Sequence, residues 1–255
     1  MSLLVSLRSE LIKTTQTASF YLTLIGAAVG PVIYLSNVLL DDGELDGISK
    51  DPLNALFKIL SEMNGVALFP LFIILICTLL PQIEYRNNTW KQVFTSPQTK
   101  ANVFLAKFIN VHLLMLLFLI ATHLFMFLTI VAINFIKAEL NLFNYPFNER
   151  MLLVNAANGY LVMLAVCAIQ FWIGLRSKNF IAPIGIGLAL WLIGTIIAVQ
   201  YKSNLVNYFP YSFQGYIVSS GLKPQLTQII WTSLAYAILF LSVGFFDFKR
   251  RTVSK

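Results

Sequence analysis

Few residues in this chain have side chains suited to catalysis or metal binding. Its two histidines, His112 and His123, and its two cysteines, Cys77 and Cys167, all lie in apolar stretches. The histidines are eleven residues apart, which on a helix separates them by roughly 16 Å, too far for a shared metal ion. An ionisable residue inside a membrane is a functional candidate, but we favour a structural role for both. The cysteines are expected to pack in the interior rather than to form a disulfide.

Sequence motifs for nucleotide, metal or nucleophilic chemistry are absent. No Gly-Lys pair occurs, so the chain has no phosphate-binding G-x-x-x-x-G-K-[ST] loop. It also has no H-E-x-x-H, no Cys/His zinc spacing and no G-x-S-x-G. The acidic DDGELDG lacks the oxygen spacing of a calcium loop, so we expect a solvated outer loop over Asp41–Glu62. We therefore expect that this chain is not an enzyme and that it binds neither a metal nor a cofactor.

One polar stretch, Glu84 to Lys107, stands out as a binding element. It contains the longest polar interruption on the positively charged side of the sequence, EYRNNTWKQVFTSPQTK, and carries four basic residues against one acid. The acid, Glu84, is expected to pair with Arg86 or a nearby amide. The stretch is either a connector that lies on lipid headgroups or a docking element for a soluble partner.

A short amphipathic helix is predicted within this stretch, over Thr89–Phe94. Trp90, Val93 and Phe94 fall at i, i+3 and i+4 and so share one face. Asn88 is expected to cap its start. Pro97 is expected to end it, because proline has no N–H and disfavours helical geometry in the residue before it.

The elements that carry these residues are membrane helices. The chain is 58% hydrophobic and only 11% charged, whereas a soluble domain carries about a quarter charged residues. We predict an all-α integral membrane protein, a single domain over residues 1–255. The six predicted transmembrane helices span residues 19–40, 63–83, 108–136, 151–175, 180–199 and 228–246. An interfacial amphipathic helix precedes them, with Leu4, Leu7 and Leu11 on one face and Arg8, Glu10 and Lys13 on the others.

The basic residues predict the orientation of these spans. Twelve of the eighteen Lys and Arg residues fall in the segments on the side of both termini, and six fall on the other side. The positive-inside rule therefore places both termini in the cytoplasm. The net charge of +7 does not indicate nucleic-acid binding, because the basic residues sit at span ends rather than in a patch.

Two further features concern helix packing and the outer surface. Gly26-x-x-x-Gly30 in the first span allows close approach of another helix. We favour packing within one subunit over a dimer contact. Before the last span, an aromatic segment too short to cross the membrane is expected to be interfacial or re-entrant. Its marker residues are Tyr208, Pro210, Tyr211, Phe213 and Tyr216.

The pattern E-x-x-N-N-T-W-K-x-x-x-x-x-P-x-x-K resembles the loop between the second and third spans of ABC-2 type permeases of ABC transporters. The six spans, the amphipathic first helix and YFPYSFQGY are also similar to that family, in particular to the group linked to antimicrobial-peptide immunity and export. The resemblance implies a coupling helix that seats in a separate ATP-binding subunit. Its partner-binding residues would be Glu84, Arg86, Thr89, Trp90, Lys91, Phe94, Pro97 and Lys100.

The resemblance implies an exporter subunit in the bacterial cytoplasmic membrane. ATP and Mg²⁺ would be bound by the partner ATPase, and a second permease subunit, identical or paralogous, would complete the path through the lipid bilayer. The alternatives are an ion-coupled secondary transporter and a non-transporting membrane scaffold. The first alternative is disfavoured because no acidic residue lies deep within a predicted span.

Overall fold

The computed structural model describes residues 2–40, 51–198, 204–215 and 225–251, and all regular structure in these ranges is helical. A π-helical turn, Asn64–Leu68, joins α3 to α4, and short 3-10 turns lie at residues 138–144 and 204–212. The α-helices are α1 (Leu3–Thr15), α2 (Ala18–Leu40), α3 (Pro52–Met63), α4 (Phe69–Arg86), α5 (Trp90–Thr95), α6 (Lys100–Ile136), α7 (Glu149–Val162), α8 (Leu164–Arg176), α9 (Ile181–Ile196) and α10 (Leu226–Arg250).

Four continuous helical segments are long and apolar enough to cross a membrane, namely α2, the α3–α4 unit, α6 and α10. The bent pair α7–α8 makes a fifth candidate if it is one span. The predicted span at residues 180–199 corresponds to α9, an apolar helix of only 16 residues. At 1.5 Å per residue α9 is roughly 24 Å long, somewhat less than the hydrocarbon core of a bilayer, and π-helical backbone continues it at residues 197 and 198.

The second span begins eleven residues earlier than the sequence predicted. We expected a solvated loop from Asp41 to Glu62, but α3 starts at Pro52 and runs into the membrane helix. Asp51 accepts a hydrogen bond from the N–H of Asn54, and proline is favoured in the first turn of a helix. Apolar residues at helical spacing in α3 are buried, which outweighs its charges. The part of the predicted loop over residues 41–50 lies outside the described residues.

The bend between α7 and α8 has an identifiable cause on the last span. The two helices meet at 41° around Met163. The Ser233 Oγ of α10 accepts a hydrogen bond from the Ala165 N–H at 3.1 Å. The same hydroxyl lies 2.9 Å from the Leu161 carbonyl oxygen, to which it donates. A polar side chain thus satisfies backbone groups that the bend frees, which a membrane interior requires.

The π turn in the second span also provides a hydrogen bond between two helices. Trp191 of α9 donates its indole N–H to the Val66 carbonyl at 3.1 Å. Because a π turn shifts hydrogen bonding from i+4 to i+5, it makes such a carbonyl available to a neighbouring helix. The turn therefore ties α9 to the second span.

The aromatic segment before the last span folds back onto α9. Tyr211 and Phe213 are buried, whereas Tyr208 is exposed. The Gln170 amide of α8 donates to the Tyr211 hydroxyl at 2.8 Å. Tyr211 is therefore held inside the protein rather than at the headgroup level that we expected for the tyrosines of this segment. Tyr216 lies outside the described residues.

Candidate functional site: the ion cluster and the α4–α6 connection

The residues between α4 and α5 form a C-terminal cap of α4 rather than an N-terminal cap of α5. Asn88 has a φ of 52°, in the left-handed region. Its N–H donates to the Tyr85 carbonyl at 3.3 Å, and the Thr89 N–H donates to the Glu84 carbonyl at 3.0 Å. This is the Schellman arrangement that ends a helix, with asparagine in the position usually taken by glycine. The predicted N-cap role of Asn88 is therefore wrong, and Thr89 precedes the first residue of α5 without a side-chain cap.

A short helix, α5, lies where the sequence predicted one over Thr89–Phe94, but its apolar side chains are turned into the protein. The Trp90 ring stacks on Phe94 with centroids 5.5 Å apart, and both rings contact Phe248 at the end of α10. Both side chains are therefore partly buried within the chain instead of protruding as anchors for a partner. The helix ends at Thr95, two residues before Pro97.

The outward face of this connection is polar and basic. Its exposed residues, as the structure places them, are Arg86, Asn87, Asn88, Lys91, Gln92, Thr95, Pro97 and Thr99. This face is what a partner would meet. The covering of Trp90 and Phe94 follows from simple energetics, because two large rings next to the end of α10 are more stable against Phe248 than in water.

Behind α5 lies a buried cluster of four charges, here called the ion cluster: Glu10, Lys13, Glu84 and Lys107. The Lys107 ammonium lies 2.7 Å from Glu84 and 2.8 Å from Glu10. Lys13 contacts the same two acids at 3.0 and 2.8 Å. Each ammonium therefore bridges both carboxylates, and the cluster is neutral as a whole. We expected Glu84 to pair with Arg86 or a nearby amide, but Arg86 is exposed and Glu84 pairs with the two lysines.

The ion cluster is shielded from water to different degrees. The side chains of Lys107 and Glu84 are each 1% exposed, whereas that of Lys13 is 34% exposed. Burial alone would raise the pKa of Glu10, but Lys107 and Lys13 outweigh it and hold this pKa below its ordinary value of 4.5. Burial alone would lower the pKa of Lys13, but Glu10 and Glu84 raise it above 10.5. These two groups are therefore charged at neutral pH.

Helix α1 brings the first two charges to the cluster. Its buried face consists of Ser6, Glu10 and Thr14, at i, i+4 and i+8, and it packs along α6. The Asn110 amide of α6 donates to the Thr14 hydroxyl at 2.6 Å. On the outside, Leu4 is 75% exposed. The helix therefore turns its polar face to the protein and apolar residues outward, as an interfacial helix would.

The ion cluster contacts α5 directly. The Lys107 ammonium lies 5.5 Å from the centre of the Trp90 ring, within the range of a cation–π interaction. On the other side of α5, Lys100 donates hydrogen bonds to the carbonyls of Lys249 and Arg251. The orientation of α5 is thus determined by α1, α4, α6 and α10 together.

The predicted packing glycines contact parts of the same chain. A side chain at Gly30 would meet Leu68 and Met63, and one at Gly26 would contact Phe118 of α6. This placement corresponds to packing within one subunit.

The two histidines have separate surroundings. His112 Nδ1 lies 2.7 Å from the Tyr160 hydroxyl. His123 Nδ1 lies 2.7 Å from the Leu119 carbonyl. The two cysteines are buried and free, with their sulfur atoms 4.0 Å apart.

Sequence reasoning missed the ion cluster as a unit. It assigned Glu10 and Lys13 to the polar side of an amphipathic helix and Lys107 to the basic start of the third span. The available signal was that each of these charges lies within a turn or two of an apolar span, where a charge needs a partner. Which charges meet is a matter of tertiary structure.

Comparison with known proteins adds the family. Residues 6–194, about three quarters of the chain, match the sequence profile of the ABC-2 family transporter proteins. No curated protein matches the chain significantly.

Proposed function

Because the chain belongs to the ABC-2 family of transporter proteins, we propose that it is the permease subunit of an ATP-driven exporter in the bacterial cytoplasmic membrane. Energy would come from a separate ATP-binding subunit that carries ATP and Mg²⁺, because the sequence has no phosphate-binding loop of its own. A second permease subunit, identical or paralogous, would complete the translocation path.

The observation that carries the proposal is the exposed basic face of α5, together with the contacts that hold α5 against the membrane helices. A helix that transmits force from an ATPase must not move independently of the spans. Here α5 packs by Trp90 and Phe94 on α10, and the ion cluster joins the helices behind it. The exposed Arg86 and Lys91 would meet acidic groups on the ATPase, and such rim charges act mainly on specificity and association rate.

Six spans with both termini in the cytoplasm fit the contacts at this end of the molecule. Arg251, after the end of α10, donates to the Leu175 carbonyl at the end of α8 at 2.6 Å and to the Tyr85 hydroxyl at 3.3 Å. The ends of α4, α8 and α10 therefore lie together, next to α1. Helix α10 is long enough to cross the membrane and ends beside α8, so its first residue would lie on the opposite side of the membrane from the end of α8. The chain between Arg176 and Leu226 would then also have to cross, which supports α9 as a span.

The coupling role is tested by reversing charge on the exposed face of α5. We would purify tagged protein from its native host in mild detergent, with its bound partner, and measure ATP hydrolysis per permease. The double variant Arg86→Glu/Lys91→Glu should lose most of the co-purified ATPase activity, with a steeper loss at low salt. The matched control is Arg150→Glu, an exposed arginine at the opposite end of the molecule.

Both variants should insert in the membrane to the same extent as the parent chain, because neither change alters a span. ATPase activity that stays unchanged in the double variant, or that falls equally in the control, would remove the support for α5 as a coupling helix. The scaffold alternative would then be favoured.

A further inference from the structure

A cavity of about 420 Å³ lies in the half of the molecule away from the ion cluster. It is lined by α3, the π turn and the start of α4, by α6 just beyond its middle, by one face of α7 along most of its length, and by the start of α10. The volume falls within the range of small-molecule sites. Apolar side chains form much of its wall, among them Phe69, Leu119, Met126, Met151, Val162 and Leu226.

One wall of the cavity presents a hydrogen-bond acceptor that has no partner. Asn64 is 4% exposed and lines the cavity, and its Oδ1 receives no hydrogen bond from the part of the chain that the structure describes. It is the first residue of the π turn, and π turns occur frequently at functional sites. Leaving a buried carbonyl unsatisfied costs stability. A ligand N–H would satisfy it.

His123 supplies a second acceptor. Because its Nδ1 lies 2.7 Å from the Leu119 carbonyl, which can only accept, that nitrogen carries the proton. In the neutral ring Nε2 is then an acceptor. His123 also lines the cavity, so together with Asn64 it offers two acceptors to a ligand.

Glu62 adds a negative charge at the edge of the cavity. It is loosely paired with Lys58 at 3.8 Å, and the Lys58 side chain is 59% exposed. An exposed pair of this kind contributes little to stability. A ligand cation could therefore replace Lys58 beside Glu62 at little cost, while Lys58 turns to solvent.

From these groups we propose that the cavity binds an amphipathic amine. Its ammonium head would donate hydrogen bonds to Asn64 and His123 and would neutralise Glu62, and its hydrocarbon chain would lie along the apolar wall. The ammonium group suits this wall because it combines one positive charge with three donors. The amine would be either a free molecule or an aminolipid of the bilayer. As a step in transport this inference rests on the proposed function, but binding itself requires no ATPase.

The test uses the purified chain alone and a long-chain primary alkylamine with a photoreactive diazirine in its tail. After irradiation, crosslinks mapped by mass spectrometry should concentrate on peptides that contain Phe69, Leu119 and Met151. An alcohol of the same length and the corresponding trimethylammonium compound, which has charge but no N–H donor, should label these peptides at least several-fold less. Equal labelling by all three probes would overturn the proposal, because the cavity would then select only for hydrocarbon.

Variants locate the head group. Asn64→Leu and Glu62→Gln should each weaken amine labelling about tenfold, since each removes a polar partner of the head group. The matched control Glu139→Gln changes an exposed acid outside the cavity and should have no effect. Full labelling in both cavity variants would contradict the proposed placement of the ammonium.

Competition distinguishes the two sources. If phosphatidylethanolamine displaces the probe and phosphatidylcholine does not, the occupant is an aminolipid. If neither lipid competes but an unlabelled alkylamine does, the occupant is a free amine. Failure of amine binding would leave the ATPase experiment untouched, and failure of coupling would leave the binding result untouched.

Discussion

At the scale of single residues, the ion cluster pairs each buried charge with two charges of the opposite sign. Lys107 is shared by two carboxylates, and Glu84 is shared by two ammonium groups. The desolvation cost of burying such groups is large, and it is offset only while every member has its partners. The cluster therefore makes the relative position of α1, α4 and α6 depend on all four charges at once.

Removing one member should be much more damaging than removing an exposed charge. Lys107→Met leaves two buried carboxylates with only Lys13 between them, and we expect a loss of about 3–5 kcal/mol, as for other broken buried pairs. Lys58→Met is the matched control, since it breaks an exposed pair and should cost less than about 0.5 kcal/mol. Thermal unfolding in detergent, followed by fluorescence, measures both.

A double variant measures the coupling between Glu84 and Lys107. In Glu84→Gln/Lys107→Met one charge of each sign is removed, so the double variant should be less destabilised than the sum of its single changes. Strict additivity would mean that the two side chains act independently, which would be incompatible with a shared cluster.

At the scale of elements, the aromatic segment over residues 204–215 shows how a short loop becomes part of the helix bundle. A side chain at Gly194 of α9 would collide with the backbone of Tyr211 and Ser212, so the segment approaches α9 as closely as the backbone allows. At Gly185, on the same helix, a side chain would meet nothing within 4 Å. Of these two glycines, only Gly194 is required for the contact.

Gly194→Ala should therefore displace the segment, while Gly185→Ala should not. The two substitutions have the same effect on helix propensity, so a difference between them reports the contact alone. Hydrogen exchange in detergent or lipid should accelerate over residues 204–215 in Gly194→Ala only. Similar exchange in both variants would mean that the segment does not depend on close packing at Gly194.

The elements also show what the sequence could and could not predict. Apolar length located the long membrane helices but not α3, whose charges suggested a loop, and the spacing of Trp90, Val93 and Phe94 predicted a short helix where α5 lies. The side on which α5 is buried was beyond prediction, because it depends on Phe248, more than 150 residues away. The bend at Met163 was also missed, since no proline or glycine pair marks it and its stabilising hydroxyl comes from Ser233. In both cases the deciding contact comes from a residue that is distant in the sequence.

At the scale of the whole molecule, the topology depends on α9. A 16-residue helix is short for a span, yet the ends of α8 and α10 meet through Arg251 and Leu175. If α10 crosses and ends beside α8, the chain between them must cross as well. Helical backbone continues beyond α9 as π-helix at residues 197 and 198, which adds length to this crossing.

Cysteine accessibility tests this topology directly. In the sequence, Lys178 precedes α9 and Tyr208 follows it, and both side chains are exposed. Replacing the buried Cys77 and Cys167 with alanine provides a background free of thiols. In intact cells an impermeant thiol reagent should label Tyr208→Cys and should leave Lys178→Cys unlabelled until the membrane is opened. Lys91→Cys should behave like Lys178→Cys, because both lie on the side rich in basic residues.

Labelling of Lys178→Cys and Tyr208→Cys from the same side would mean that α9 is re-entrant. The chain would then have five spans and termini on opposite sides, and the meeting of α8 and α10 at one end would need a different explanation.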